Sequence, residues 1–167
     1  MKIILTGSTG FIGHEILTQC LRNPHITSII ALSRRPLPTN NPKLTVRLVD
    51  GFLTYPESLL QELRGAEAFM VYVKMKDMIY DTNGGYEQGQ VENELTDYEK
   101  NNNNVEVYIA RPGMVLARGM SLRTVVFGMG PSIWVDDLAK VLVDVAVKGD
   151  GDGERILENE RMLRWEH

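Results

Sequence analysis

Apolar and polar residues alternate in blocks along this chain, and the first block is the most regular. Residues 2–6 form a short apolar run, and three closely spaced glycines follow it. In residues 11–22 apolar side chains recur every four positions, as at Ile12, Ile16 and Cys20. An apolar run, a glycine-rich break and a four-residue period predict a strand, a tight turn and a helix.

The same alternation continues through the first seventy residues. Further strands are predicted at 28–32, 44–49 and 66–73, and a short helix is predicted at 56–64. Strands that alternate with helices favour a parallel sheet with helices on both faces. The fold class is therefore α/β, and we expect three layers around a sheet of about five strands.

The second half is less regular. Residues 74–85 have no clear period, whereas 86–100 are predicted to be helical and 105–110 to be a strand. A strong apolar stripe predicts a helix from residue 135, with Asp136 and Asp137 as helix caps in its first turn. A last short strand is predicted at 155–158. With one helix between them, 105–110 is expected to pair beside 66–73, giving the strand order 3-2-1-4-5.

The glycine-rich turn carries the chemistry. Its spacing is G-x-x-G-x-x-G, between a strand and a helix, which is typical of a dinucleotide-binding βαβ unit in a Rossmann-like sheet. Gly7 permits the tight turn, Gly10 admits a pyrophosphate close to the backbone, and Gly13 lets the helix pack on the strand. The helix N-terminus then presents free N–H groups to the phosphates. The alternative is an ordinary α/β turn whose glycines only ease packing.

Two arginines indicate which dinucleotide is bound. Arg34 and Arg35 follow the second predicted strand, and no acidic residue lies between them and Asp50. An acid at this place would bind the ribose 2′-hydroxyl of NAD, whereas arginine accommodates the 2′-phosphate of NADP. We therefore expect NADP in preference to NAD. The alternative is a solvated basic loop, because Pro36 and Pro38 mark a loop here.

Composition sets the remaining limits. A chain of 167 residues is most simply one domain, spanning 1–167, and its net charge of -4 argues against nucleic acid as a partner. No apolar stretch reaches the length of a membrane span, and the single cysteine permits no internal disulfide. The three histidines have no metal-type spacing, so no metal site is expected. These features fit a cytoplasmic protein that does not bind membranes.

Several of these segments together resemble the short-chain dehydrogenase/reductase superfamily, in the extended and atypical branches that include nucleoside-diphosphate-sugar epimerase-like proteins. The resemblance rests on ILTGSTGFIG at 4–13, the two arginines, Val49-Asp50, GQVENEL at 89–95 and ARPGMVL at 110–116.

The resemblance implies a set of cofactor-binding residues. In the first turn these are Gly7, Ser8, Thr9, Gly10, Phe11, Ile12 and Gly13. It also implies that Asp50 reaches the adenine and that Tyr72 and Val73 line the cofactor. Arg111, Pro112 and Gly113 would lie near the nicotinamide end.

The chain departs from this superfamily at its catalytic residues. The superfamily uses a tyrosine with a lysine four residues later on one helix face, plus a serine or threonine from the preceding strand. At the aligned positions this chain has Gly84 and Gln88, and Tyr86 is two residues out of register. The one formal match, Tyr72 and Lys76, begins on a predicted strand, where no helix aligns the pair. No catalytic residue is therefore assigned.

The middle of the chain is also short. Only residues 74–85 separate the fourth predicted strand from the helix at 86, which leaves no room for a crossover helix and a further strand. The chain thus looks like an internally shortened member of the superfamily.

Three functions remain open at this point. The first is an NADP-dependent oxidoreductase or epimerase acting on an unknown small molecule. The second is a non-catalytic NADP-binding sensor or partner-binding protein. The third is a generic or flavodoxin-like α/β binding domain, against which the arginine pair and the ARPG segment argue.

Overall fold

The structure is a computed structural model that describes residues 1–51, 54–70, 93, 96, 97, 99–101, 106–118, 132–149 and 153–165. Within these ranges the predicted α/β class is confirmed, because every described strand pair is parallel and helices pack on the strands. No helix in the described ranges is long and apolar enough to cross a membrane.

The first half follows the predicted order closely. Its elements are β1 (Lys2–Thr6), α1 (Phe11–Arg22), β2 (Ser28–Ser33), β3 (Leu44–Leu48), α2 (Glu57–Leu63) and β4 (Ala68–Met70). Helix α1 has the predicted bounds because its apolar period begins at the glycine turn and Pro24 follows its C-terminus. The predicted helix at 86–100 is seen in part, since residues 93, 96, 97 and 99–101 are helical.

These strands form one sheet in the order β3-β2-β1-β4. Strand β1 is central: Thr6 pairs with Leu32 of β2, and Leu5 pairs with Met70 of β4. On the outer side of β2, Ser33 pairs with Leu48 of β3. The strand order reverses at β1, which is where an open α/β sheet has its ligand-binding crevice.

Side chains on the two faces of the sheet enter two separate cores. Ile3, Leu5 and Ile29 face one core, which also receives the buried residues of α1 and of α3 (Val135–Lys148). Ile4, Ile30 and Leu32 face the other core with Leu59 of α2. Alternate residues of one strand point to opposite faces, so this division demonstrates the predicted three layers.

The second half contains short strands in two further parallel pairs. The elements are β5 (Ile109–Arg111), β6 (Met114–Leu116), β7 (Ser132–Trp134), α3, β8 (Ile156–Glu158) and α4 (Asn159–Leu163). Strand β5 pairs with β8, and β6 pairs with β7. Ala110 and Leu157 contribute to the same core as Ala68 and Met70 of β4. Strands β4, β5 and β8 therefore all contribute to the core beneath α1 and α3.

Two sequence-based predictions are wrong. Strand β5 does not extend the main sheet beside β4 in the described residues, because the Ile109 N–H donates to the Arg155 oxygen at 2.8 Å and β5 pairs with β8. The main sheet in these ranges has four strands, so the order 3-2-1-4-5 is not seen.

Asp136 and Asp137 lie in the first turn of α3 but do not cap it with side-chain hydrogen bonds. Instead, both carboxylates pair with Arg118.

Candidate functional site

The glycine-rich turn closes tightly after β1. Gly7 has φ +70°, a conformation that favours glycine, and its carbonyl oxygen accepts the Gly10 N–H at 2.9 Å. A Cβ on Gly13 would fall inside van der Waals contact of this carbonyl group, whereas a Cβ on Gly10 would lie 3.3 Å from its oxygen. The start of α1 is thus pressed against the turn, and Gly13 is the glycine that the close approach requires most.

Among the described residues, no side chain caps the N-terminus of α1, and the first turn of this helix contains no acidic residue. The His14 N–H donates to the Gly10 oxygen at 2.8 Å, which leaves the N–H groups of Phe11, Ile12 and Gly13 for an anion. Ser8, in the same turn, is 1 % exposed, and its Oγ has no hydrogen-bond partner in the described residues. A buried hydroxyl without a partner is costly, and a ligand acceptor would remove that cost.

The strand register brings three predicted site residues to one edge of the sheet. Because Thr6 is level with Leu32, and Ser33 with Leu48, the turn at Gly7 lies beside the residues that follow β2 and β3. The Val49 N–H donates to the Ser33 oxygen at 3.0 Å, which extends this alignment by one residue. Arg34 and Asp50 therefore emerge at the same edge as the glycine turn.

The two arginines are unengaged in the described structure. Arg34 and Arg35 are exposed, and neither guanidinium has a hydrogen bond or an ion pair with the described residues. The backbone N–H of Arg35 donates to the Ser33 Oγ at 3.2 Å, which shapes the end of β2. Both cationic groups can therefore reach an anion without first breaking a contact with the described residues.

Asp50 lines an open cavity of about 630 Å³ between the end of β3 and the start of α2. Leu48, Val49 and Tyr55 give this cavity an apolar wall, and Thr54 adds a hydroxyl group. Burial raises the pKa of the Tyr55 phenol, so this group stays neutral at physiological pH. Arg47 and Glu62 also line this cavity beside Asp50, so charged groups make up part of its wall.

The Arg-Pro-Gly segment lies at the carboxyl end of a different parallel pair. Arg111 ends β5, and its guanidinium pairs with the Glu158 carboxylate of β8 at 3.1 Å. The Gly113 N–H donates to the Asn159 Oδ1 at 2.8 Å. Sequence reasoning did not identify Asn159, because a single asparagine after a three-residue strand carries no recognisable motif.

Arg118 joins β6 to the start of α3. Its Nε lies 2.5 Å from the Asp136 Oδ2, and its Nη2 lies 3.1 Å from the Asp137 Oδ1. The guanidinium also lies 5.5 Å from the centre of the Trp134 ring. On the other side of α3, the Gln19 amide donates to the Asp136 backbone oxygen at 2.8 Å and so ties α3 to α1. Arg118 thus engages both carboxylate oxygens of Asp137 but only Oδ2 of Asp136, whose Oδ1 is buried without a hydrogen-bond partner in the described residues.

Some predicted residues lie outside the described ranges. These are Tyr72, Val73, Lys76, Gly84, Tyr86 and Gln88. Their roles in lining the cofactor, or in replacing the usual catalytic pair, therefore stay predictions.

The comparisons with known proteins give a fold. No family model and no curated protein matches the chain. Among solved structures, the reductase domain of PhqB from Penicillium fellutanum superposes with a TM-score of 0.67 at 16% identity, over 94% of this chain. This chain spans 66% of the length of that domain. The oxidoreductase ylbE from Lactococcus lactis superposes with a TM-score of 0.59 at 15% identity, over 100% of this chain and 99% of its own. The chain thus shares the Rossmann-like fold of these two structures.

Proposed function

We propose that this chain is a single NADP(H)-binding domain, spanning 1–167, related to the atypical short-chain dehydrogenase/reductases and derived from an oxidoreductase or epimerase. The observation that carries the proposal is the turn at Gly7–Gly13: a helix N-terminus without a side-chain acceptor lies beside a buried Ser8 hydroxyl that lacks a partner in the described residues. A pyrophosphate supplies the oxygens that both features require.

The cofactor preference rests on Arg34 and Arg35. Both are exposed at the edge where the glycine turn lies, and both have no ionic partner among the described residues. A 2′-phosphate would form charge-assisted hydrogen bonds with these guanidinium groups, which the 2′-hydroxyl of NAD cannot match. The choice of NADP over NAD is therefore part of the proposal.

The remaining residues would position the nucleotide. Asp50, which lines the 630 Å³ cavity, would accept a hydrogen bond from an adenine amino group. The Arg111–Gly113 turn would border the other half of the dinucleotide, with Tyr72 and Val73 between the two halves. NADPH would carry a transferable hydride, and the chain's own residues would bind and orient the dinucleotide.

A nucleotide-binding experiment tests this proposal. We expect NADPH and adenosine 2′,5′-bisphosphate to raise the melting temperature, and NADH to raise it less. Gly10→Val should abolish these shifts while the circular dichroism spectrum stays native, because a branched side chain would occupy the space for the pyrophosphate. A wild-type protein whose melting temperature responds to no nucleotide would overturn the proposal.

The second candidate is a non-catalytic NADP-binding sensor or partner-binding protein. It is favoured by the tyrosines that the structure describes, Tyr55 and Tyr108, because neither has a lysine four residues later. The Tyr108 hydroxyl donates to the Glu106 carboxylate at 2.8 Å, and the Arg155 guanidinium lies 4.8 Å from its ring centre. This tyrosine is therefore engaged in a structural cluster.

Turnover separates the two candidates. We expect negligible NADPH oxidation over a panel of small carbonyl compounds. Tyr86→Phe and Tyr72→Phe serve as variants of the two tyrosines nearest to the superfamily's motif. Robust turnover that is lost in either variant would refute the non-catalytic candidate and identify the proton donor.

A further inference from the structure

The two ends of the Asn159 side chain have different environments. Its Oδ1 accepts the Gly113 N–H at 2.8 Å. Because a backbone N–H can only donate, this contact fixes the orientation of the amide, and Nδ2 must face away from Gly113. Nδ2 is buried and has no hydrogen-bond partner in the described part of the chain. Two N–H donors are thus withdrawn from water without compensation.

A purely structural role explains the contact of the Asn159 Oδ1 but not the burial of its Nδ2. Oδ1 anchors the turn after β5, and the Arg111–Glu158 ion pair already joins the same two strand ends at 3.1 Å. An aspartate would provide the same anchoring oxygen for Gly113. The buried donor therefore adds nothing to the anchoring, and it calls for an acceptor that is not part of the described chain.

The position of Asn159 indicates where such an acceptor would come from. Asn159 directly follows β8, Pro112 directly follows β5, and Arg111 is level with Glu158 in this parallel pair. Asn159 and Pro112 thus lie at the carboxyl ends of parallel strands, the end at which α/β folds bind ligands.

The sheet order indicates which part of the ligand is involved. The residues proposed for the adenosine half follow β2 and β3, on one side of the central β1. A dinucleotide that crosses the N-terminus of α1 must extend its other half past β1 toward β4. Ala110 of β5 and Leu157 of β8 share a core with Met70 of β4, so Asn159 belongs to that second side.

We infer that Asn159 is a binding residue for the nicotinamide ring, to whose carboxamide oxygen its Nδ2 donates a hydrogen bond. The carboxamide is the polar group of that ring, and its oxygen is a neutral acceptor suited to a neutral amide donor. This inference rests on the proposed binding of NADP(H). It adds a specific contact that would distinguish the complete dinucleotide from its adenosine half.

Asn159→Asp tests the contact, because aspartate keeps an acceptor for Gly113 and removes the donor. Calorimetry should show a loss of about tenfold in NADPH affinity, typical of one buried hydrogen bond. The affinity for adenosine 2′,5′-bisphosphate, which lacks the nicotinamide, should change less than twofold. Glu160→Gln is the control, because this neighbouring side chain is 87% exposed.

A second ligand tests the same contact in the wild-type protein, so this test does not require the variant to fold. Thionicotinamide-NADPH replaces the carboxamide oxygen with sulfur, a weaker acceptor. The wild-type protein should bind it several-fold more weakly than NADPH, and Asn159→Asp should abolish that difference. Equal wild-type affinities for the two dinucleotides would overturn the inference, as would an equal loss of NADPH and bisphosphate binding in Asn159→Asp. If the wild-type protein bound neither NADPH nor the bisphosphate, the proposed function itself would fail.

Discussion

The carbonyl group of Gly7 occupies the space that a side chain on Gly13 would need. A Cβ on Gly13 would lie 2.6 Å from the Gly7 carbonyl carbon, whereas one on Gly10 would lie 3.3 Å from the oxygen. The first distance is incompatible with the present packing of α1 on the turn, and the second requires only a small adjustment. The three glycines of this segment are therefore not equivalent.

This difference predicts unequal effects on stability. Gly13→Ala should lower the free energy of unfolding by about 1–3 kcal/mol, the usual cost of overpacking a tight contact. Gly10→Ala serves as the matched variant and should cost distinctly less. Urea denaturation of both proteins checks the prediction, and equal midpoints would contradict it.

Arg34 and Arg35 should determine the preference for NADP(H). Their charge-assisted contacts predict that NADPH binds about ten- to a hundredfold more tightly than NADH. The double variant Arg34→Ala/Arg35→Ala should lose this preference without a change in melting temperature, because neither side chain is packed. Arg22→Ala, an exposed arginine at the far end of α1, is the control. Titration calorimetry with both nucleotides measures the preference, and equal wild-type affinities would be inconsistent with it.

Cys20 should be unreactive in the folded protein. Burial raises the pKa of its thiol to about 12, and the side chain is fully inaccessible. Because the thiolate is the reactive form, labelling with a disulfide reagent at pH 8 should be at least about a hundredfold slower than in urea-unfolded protein. The reaction is followed by the absorbance of the released thiol. Rapid labelling of the native protein would show that α1 opens readily.

Glu62 should contribute to the acid sensitivity of the fold. The hydrogen bond from the Arg47 guanidinium, 2.7 Å away, lowers the pKa of Glu62 below its ordinary value of 4.5. The stabilisation is therefore complete above pH 4.5 and is lost as the pH falls through the lowered pKa.

Arg47→Met should remove this part of the acid dependence. Denaturation midpoints at pH 7 and pH 3 should differ less in the variant than in the wild-type protein. The effect should be small and should weaken with salt, because the pair is exposed. Arg64→Met is the control, since its contact with Glu57 is looser at 3.8 Å. An unchanged acid dependence in Arg47→Met would refute the prediction.

The first half of the fold could be predicted because each of its elements carries its own signal. The period at Ile12, Ile16 and Cys20, together with the glycines before it, predicts the bounds of α1 that the structure shows. The strands predicted at 105–110 and 155–158 overlap β5 and β8, whereas β6 and β7, with three residues each, are too short for a periodic pattern to be recognised. The pairing of β5 with β8 is a tertiary contact between segments far apart in the chain, so no local pattern specifies it.

In the candidate site too, features with a local sequence signal could be predicted, and features that depend on tertiary contacts could not. The turn at Gly7 and the helix after it could be predicted because their signals share one short segment, whereas their role in binding a cofactor stays a prediction. Asn159 could not, because its contact with Gly113 joins residues 46 positions apart. For Asp136 and Asp137 the local signal was misleading. Their position in the first turn of a helix predicts caps, but both carboxylates form ion pairs with Arg118, which is distant in the sequence.

The common edge formed by the ends of β1, β2 and β3 has a consequence for how this chain can evolve. The ladder that holds these strands in register is made of backbone groups, whereas positions 34 and 35 carry exposed side chains that bear no part of the packing. Under the proposed function, ligand preference and fold stability can therefore vary independently. A library randomised at these two positions would explore different nucleotides on a scaffold of nearly constant stability.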